Sequence, residues 1–385
     1  MQPKYCAAPW RGLHINFRGD VKTCCAGDPN MLGDLNHSTI QDIVFGEALR
    51  GIRSQIQQGQ LHPEYCRNCI QAEQYGRSER HWHNDVNQDF DPRTADLDEF
   101  APTIIDIRWN TTCNLSCNYC GEYCSSRWQS IKQRKPVRNG VRPYYDQVCD
   151  FLAQHAPDIR EVALVGGEPL LLPENERLLD VIPPDCIVTL ITNTSVELER
   201  NRIFQKIAQR RRVGWSMSFD NIESRFEYVR HGAQWDVLCH NIALIQQLMR
   251  DQGHWGGIHA VYNVYNCTRL TEFRQWAQSQ GLTVLWQNLF QPDYLDPMQH
   301  IAGVRGLALN EIDRMVGTCG SYMSDSEQQF FQHARDNLQR DTGQGHIIAQ
   351  KFQQHIQDIE HRWHPDKQEQ FKQLWPELAD LLLHN

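Results

Sequence analysis

Between residues 103 and 289, six short apolar runs alternate with stretches of helical period, and nothing else in the chain limits its fold so tightly. The runs lie at 104–109, 161–165, 187–192, 213–219, 257–263 and 283–289. The stretches between them, among them 144–155, 199–212, 234–250 and 269–280, space their apolar residues along one helical face. Parallel strands need a long crossover, usually a helix, so the alternation predicts an α/β fold on a parallel sheet. Six strands suit an open doubly wound sheet or an incomplete α/β barrel. In both, reactive groups gather at the C-terminal ends of the strands.

The first such end carries three cysteines. Asn110-Thr111-Thr112 leads into Cys113, Cys117 and Cys120, spaced C-x3-C-x2-C. Three thiolates on one short loop can converge on one metal centre. A structural zinc site takes four ligands, whereas three thiolates on a cube of four irons leave one iron open for another molecule. Zinc completed by Cys124 or a histidine is the alternative that the spacing alone leaves.

The loop, its position after the first strand and the units that follow resemble the radical S-adenosylmethionine (SAM) superfamily over residues 104–289. The resemblance implies a partial (β/α)6 barrel. Cys113, Cys117 and Cys120 would hold a 4Fe–4S cluster and form the catalytic centre, with SAM on the open iron. Further matches follow in order. Tyr119 stands where the family has an aromatic residue whose backbone meets the adenine. Gly166-Gly167-Glu168-Pro169 resembles the GGE motif, whose backbone edge receives the SAM amino group. Taken alone it would be an ordinary strand-to-helix turn. Thr192-Asn193-Thr194 resembles a TNG-like segment, and Ser216 to Asp220 resembles an S-x-D segment with Ser216 and Ser218 toward SAM. Arg230 resembles an arginine that pairs with the SAM carboxylate, although a surface ion pair would explain it as well.

A second cysteine group precedes the sheet. Residues 13–17 and 21–24 read as a hairpin joined through Arg18-Gly19-Asp20, and 39–58 as one amphipathic helix. Cys66-Arg67-Asn68-Cys69 is a C-x2-C knuckle, a ligand pair for zinc or iron–sulfur. With Cys6 and the Gly19-x4-Cys24 segment it resembles the auxiliary-cluster half of SPASM and twitch domains, here ahead of the barrel instead of behind it. The longer SPASM pattern asks for another cysteine where this chain has Tyr75. The resemblance therefore implies one auxiliary 4Fe–4S cluster on Cys6, Cys24, Cys66 and Cys69, with Cys25 an ambiguous neighbour and four-cysteine zinc the rival. The other cysteines, Cys124, Cys149, Cys186, Cys239, Cys267 and Cys319, are expected to serve packing, with Cys124 and Cys267 the two nearest the chemistry.

The expected organisation is an auxiliary module at 1–80, a polar linker at 81–102, the barrel at 103–290 and a polar, helical region at 291–385. Asp293 and Tyr294, just past the sixth strand, stand at the height of the site. A net charge of −9 argues against nucleic acid as a partner. No run reaches the ~20 apolar residues of a membrane span, and no leader pattern opens the chain, so a cytoplasmic protein is expected. Fourteen cysteines in a reducing compartment point to metal or redox chemistry.

The function implied by the resemblance is reductive cleavage of SAM to a 5′-deoxyadenosyl radical, which takes hydrogen from a substrate C–H bond. With an auxiliary cluster to receive an electron, net oxidation or cross-linking of a peptide or peptide-like substrate is the first expectation. A dehydrogenase, epimerase or methyltransferase acting on a sugar or other small molecule is the second. Either would draw electrons from a donor such as flavodoxin or ferredoxin. The rival from another class is a zinc or iron–sulfur binding or sensor protein without catalysis.

Overall fold

The computed structural model describes residues 4–73, 78–289, 291–363 and 365–383. Eight strands form one sheet: β1 Gly12–Ile15, β2 Val21–Lys22, β3 Ile104–Ile107, β4 Glu161–Leu164, β5 Ile187–Thr192, β6 Val213–Ser218, β7 Trp255–Tyr262 and β8 Val284–Asn288. Their spatial order is β8-β7-β6-β5-β4-β3-β1-β2. From β3 to β8 the order follows the sequence without reversal, and all five pairings are parallel. A doubly wound sheet reverses direction at a switch point, so the sequential order decides for the partial barrel.

The alternation of burial shows why these segments are strands. Val188 and Leu190, Val213, Trp215 and Met217, Ile258 and Ala260, and Val284 and Trp286 are all buried. Their alternates Thr189, Ile191, Ser216, Ser218, His259 and Gln287 are less covered. One face thus belongs to the main core, and the other is a more polar surface on which a site can be built.

The N-terminal hairpin does not stand apart from this sheet. Strand β1 pairs in parallel with β3, Leu13 opposite Ile105 and Ile15 opposite Ile107, and β2 closes the edge antiparallel to β1. Gly19, at φ 96°, makes the tight connection between β1 and β2, and its carbonyl receives Leu35 N at 2.9 Å.

Two expectations about this region change. The helix expected over 39–58 is two helices, Ile40–Val44 and Glu47–Gln57. They separate where Gly46 adopts an extended conformation and caps the second helix. The stretch expected as a polar linker contains the helix Glu79–Val86, on which His83 is buried. Local polarity hid it, because its burial comes from the neighbouring module and not from its own sequence.

Among the described residues the C-terminal region forms five α-helices, Ala302–Cys319, Asp325–Leu338, Gly345–Trp363, Lys367–Leu374 and Pro376–Leu382. Phe352, Phe371 and Trp375 are fully buried, and the Trp375 ring centroid lies 5.2 Å from that of Tyr228 and 5.6 Å from that of Tyr265. Among the described residues no helix is long and apolar enough to cross a membrane.

Candidate functional site

The loop that follows β3 is held from several directions. The backbone of Glu168 donates to Thr112 O at 2.8 Å. A side chain at Gly167 would put its Cβ 2.2 Å from that same carbonyl oxygen, so only glycine allows the approach. The close approach of the Gly166-Gly167 turn is therefore to the cysteine loop itself.

Glu168 is wholly buried. Its carboxyl accepts from Thr192 Oγ1 and Asn193 N, each at 2.8 Å, and from Leu170 N at 3.2 Å. Burial nevertheless pushes it up to about 7, because three donors do not replace the lost water. Asn193, fixed in this way, donates through Nδ2 to Asn114 Oδ1 at 2.8 Å and to Cys113 Sγ at 3.8 Å. Three successive strand ends, after β3, β4 and β5, are thus tied together around Cys113. Thr194 takes φ 58°, a left-handed conformation unusual for a β-branched residue. It stands where a TNG-like segment has glycine.

A second network forms after β6 and β7. Asp220 is fully buried and accepts from Tyr119 OH at 3.2 Å and from Asn263 Nδ2 at 2.9 Å. Its Oδ1 lies 3.7 Å from Arg230 Nε, and the Arg230 guanidinium is 5.4 Å from the Tyr119 ring centroid. Arg230 also bears electrostatically on Cys117 and Cys113. The surface ion pair weighed for Arg230 is excluded, since the residue is 5 % exposed. Its two-residue strand, Arg230–His231, pairs antiparallel with Ser116–Cys117 of the cysteine loop.

The three cysteines of the loop influence one another electrostatically. Cys117 acts on Cys113, and Cys113 and Cys117 both act on Cys120. Burial pushes the Cys113 thiol up to about 12. Thiols in such surroundings stay protonated until a metal replaces the proton. With Arg230 as a nearby cation, the donor set suits an anionic iron–sulfur cluster. The neighbouring Cys124 and burial push the Cys120 thiol well above its ordinary value. Beside Cys120 opens a cavity of about 360 Å³, and Tyr119, Tyr123, Tyr294, His355 and Asp358 are among its lining. Tyr294 bonds His355 Nδ1 at 3.2 Å, and Asp293 instead pairs with Lys351 at 2.7 Å.

Ser216 and Ser218 lie on the less-covered face of β6, apart from the hydrogen bonds that hold the loop. Sequence reasoning missed Asn114, Asn263 and Asn266, whose Nδ2 donates to Asp220 O at 3.4 Å, as site residues, and quoted Asp220 without assigning it a role. For Asn263, buried directly after β7, the available signal was an asparagine at a strand end, because a buried amide must find partners.

The N-terminal cysteines form a separate site. Cys6, Cys24, Cys66 and Cys69 line one small cavity with apolar neighbours such as Ile56 and Leu61. Cys6 precedes the short helix Ala8–Arg11, Cys24 follows β2, and Cys66 caps the helix Arg67–Ala72 that carries Cys69. Tyr65 anchors the knuckle by accepting Thr23 N at 2.8 Å. Burial pushes Cys6 up to about 12 and Cys66 up to about 11, while the Arg80 cation acts against both shifts. Arg80 is itself held by Glu73 at 2.7 Å. Cys25 is not part of this cavity's lining, and burial pushes its thiol up to about 12. Four thiols in an apolar pocket beside a fixed cation fit a four-thiolate cluster. Tyr75, where the longer pattern would place another cysteine, lies outside the described residues. Among the described residues no three His, Cys, Asp or Glu side chains are gathered to hold a single metal ion.

Residues 6–70 match SPASM, an iron–sulfur cluster-binding domain. The module expected at the N-terminus is therefore present, ahead of the barrel. No curated protein matches the chain. Among solved structures, native anSMEcpe with bound AdoMet is similar at 16% identity and TM-score 0.39, over 55% of this chain and 59% of that one. Streptococcus suis SuiB bound to S-adenosylmethionine is similar at 16% identity and TM-score 0.41, over 56% and 48%. Native anSMEcpe with bound AdoMet and Cp18Cys peptide gives 14% identity and TM-score 0.40, over 57% and 62%. The chain thus spans about half to three-fifths of the length of these structures.

Proposed function

We propose that this chain is a radical SAM enzyme with one auxiliary cluster. The observation that carries the reading is the loop of Cys113, Cys117 and Cys120 after β3, tied to the next two strand ends through Glu168 and Asn193. With a 4Fe–4S cluster held by these three cysteines, one open iron would bind SAM and supply the electron that cleaves it to methionine and a 5′-deoxyadenosyl radical, which takes hydrogen from the substrate.

The chain's own residues have separate duties in this reading. Asn193 donates toward Cys113 Sγ and spreads the charge of its thiolate. Arg230 supplies a buried positive charge beside Cys113 and Cys117, and Asp220 orients both Arg230 and Tyr119. Glu168 is a positioning residue that keeps Asn193 and Thr192 in place. Gly166 and Gly167 keep the turn against the loop, and their backbone is the edge offered to the SAM amino group. Ser216 and Ser218 present hydroxyls on the more polar face of the sheet. The cavity at Tyr119, Cys120 and Tyr294 suits a bound molecule close to the reacting centre.

Cys6, Cys24, Cys66 and Cys69 would hold the auxiliary cluster, which gives an electron released by the substrate somewhere to go. For that reason net oxidation or cross-linking is preferred to isomerisation, and a peptide or peptide-like substrate is carried forward as the first class to test. A flavodoxin- or ferredoxin-like donor would provide the initiating electron.

The test is anaerobic. Protein reconstituted with iron and sulfide is given dithionite and SAM, and 5′-deoxyadenosine is quantified against Cys113→Ala. Cysteine-dependent product is the expected result. Equal background in both proteins, together with no SAM binding by the wild type in a direct titration, would defeat the reading.

A further inference from the structure

We propose that the basic segment from Arg127 to Arg142 is the docking surface for a small acidic electron-carrier protein, which delivers an electron to the centre of the Cys113, Cys117 and Cys120 loop. The inference rests on the radical SAM reading of that loop and adds where the electron enters.

Between Tyr123 and Tyr145 the chain has Arg127, Lys132, Arg134, Lys135, Arg138 and Arg142 and no Asp or Glu, in a protein of net charge −9. All of these cations but Arg142 are exposed. Among the described residues Lys132 alone of the six has a carboxylate partner, Glu122 at 3.2 Å. Lys132 and Arg134, at the end of the helix Ser126–Gln133, suit the negative end of its dipole. Arg127 stands in the first turn, where a cation is disfavoured, and Lys135 and Arg138 lie beyond the helix, so helix stability does not explain the set. Two apolar side chains sit among these charges, Tyr123 at 57% and Val141 at 64% exposure. An apolar spot rimmed by unpaired cations suits a transient, charge-steered interface with an acidic protein.

The segment is built onto the cysteine loop. Trp128 Nε1 donates to Cys117 O at 3.0 Å, Gln129 Nε2 to Thr111 Oγ1 at 3.2 Å, and Asn139 Nδ2 to the same hydroxyl at 2.9 Å. Arg142 Nε donates to Trp109 O at 3.1 Å and Val137 N to Ser130 Oγ at 2.9 Å, so the stretch beyond the helix is fixed in place. Tyr123, Trp128 and Lys132 line one cavity with Cys120, which is half-buried where Cys117 is buried. The patch therefore stands beside a cysteine that solvent partly reaches. The other basic run, Arg210-Arg211-Arg212, precedes β6 at the opposite end of the strands, and Arg210 and Arg212 are spent on the carbonyls of Leu179 and Asp185. In the transfer one electron leaves the carrier and one enters the cluster, and no bond is made or broken.

The experiment uses the full chain, reconstituted anaerobically, as wild type, as the double variant Lys135→Glu, Arg138→Glu, and as a control of equal charge change, Arg211→Glu, Arg212→Glu. Circular dichroism confirms that each is folded. The probe is an acidic flavodoxin. Its dissociation constant is measured by biolayer interferometry as sodium chloride rises from about 0.05 M to about 0.5 M. Formation of 5′-deoxyadenosine is quantified with reduced flavodoxin and, separately, with dithionite. The Lys135→Glu, Arg138→Glu variant should bind flavodoxin about tenfold more weakly at low salt, with the difference shrinking as salt screens the charges. Its flavodoxin-driven product should fall in step, whereas dithionite, too small to need a docking surface, should give wild-type product. The control should match the wild type in every measurement.

Equal flavodoxin affinity in the wild type and the Lys135→Glu, Arg138→Glu variant would overturn the proposal. An equal loss in the control would also overturn it, because net charge alone would then be at work. A short RNA duplex that binds the wild type more tightly than flavodoxin, and weakens in the same variant, would assign the patch to nucleic acid instead. Absence of both dithionite-driven product and SAM binding in the wild type would defeat the radical SAM reading, and electron entry with it. Normal dithionite-driven product alongside unaltered flavodoxin binding in the variant would defeat the docking surface alone.

Discussion

Replacing Glu168 by glutamine should change the pH dependence of stability in a calculable way. The wild-type carboxyl is fully buried, and its value rises from 4.5 to about 7 on folding. A carboxyl raised in this sense stabilises the fold only while protonated. Its contribution is full below the unfolded value and is lost as pH rises through the folded one. The whole effect is worth about 3 kcal/mol, of which about 2.5 kcal/mol falls between pH 5 and pH 8. Glutamine keeps the shape and still accepts from Thr192 and Leu170, but its amide faces the Asn193 N–H that Glu168 accepts at 2.8 Å. One hydrogen bond is lost and a buried donor is orphaned, at a pH-independent cost of about 1–3 kcal/mol. At pH 5 Glu168→Gln should therefore be the less stable protein. By pH 8 the two should be equal, or the order reversed. Urea unfolding of metal-free protein under reducing conditions, at both pH values for both proteins, measures the difference. A wild-type minus variant difference that stays constant within about 0.5 kcal/mol would show that Glu168 does not titrate as its burial demands.

Four other substitutions probe separate parts of the molecule. Gly167→Ala puts a methyl 2.2 Å from Thr112 O, so the loop must shift, and stability should fall by about 2–4 kcal/mol with loss of SAM cleavage; an unfolding midpoint equal to wild type would contradict the geometry. Trp375→Ala removes a fully buried ring that backs Tyr228 and Tyr265, at about 3–5 kcal/mol in chemical denaturation. Because Tyr228 O accepts from Asn118 Nδ2 of the cysteine loop at 3.3 Å, iron retention by that loop should weaken as well. Cys66→Ala and Cys69→Ala should each lower bound iron by about four atoms per chain, and unchanged iron with stoichiometric zinc would remove the auxiliary cluster.

Much of the barrel was legible because its signals are local. The six predicted runs match β3 to β8 within two residues at every end, and the crossover helices Tyr145–Gln154, Trp235–Gln252 and Leu270–Ser279 lie where the periodicity puts them. Residues 199–212 shorten to the helix Arg202–Ala208, since its start is set by the Asn201 side chain accepting Phe204 N. The cysteine spacings and the GGEP turn were equally plain, because short-range chemistry fixes them.

What the sequence by itself determined is therefore the class of fold, the two cysteine groups and the strand ends that meet the first of them. Only the tertiary structure decided that Cys24, and not Cys25, joins the other three cysteines around one cavity. The same holds for burial of Arg230 against Asp220, and for the seating of the N-terminal hairpin on β3. It also brought Tyr294 and His355 together from segments 61 residues apart. Each of these pairings joins groups distant in sequence, whose value depends on desolvation and on partners supplied by another element. Periodicity reports which face of a segment is buried, but not which neighbour buries it.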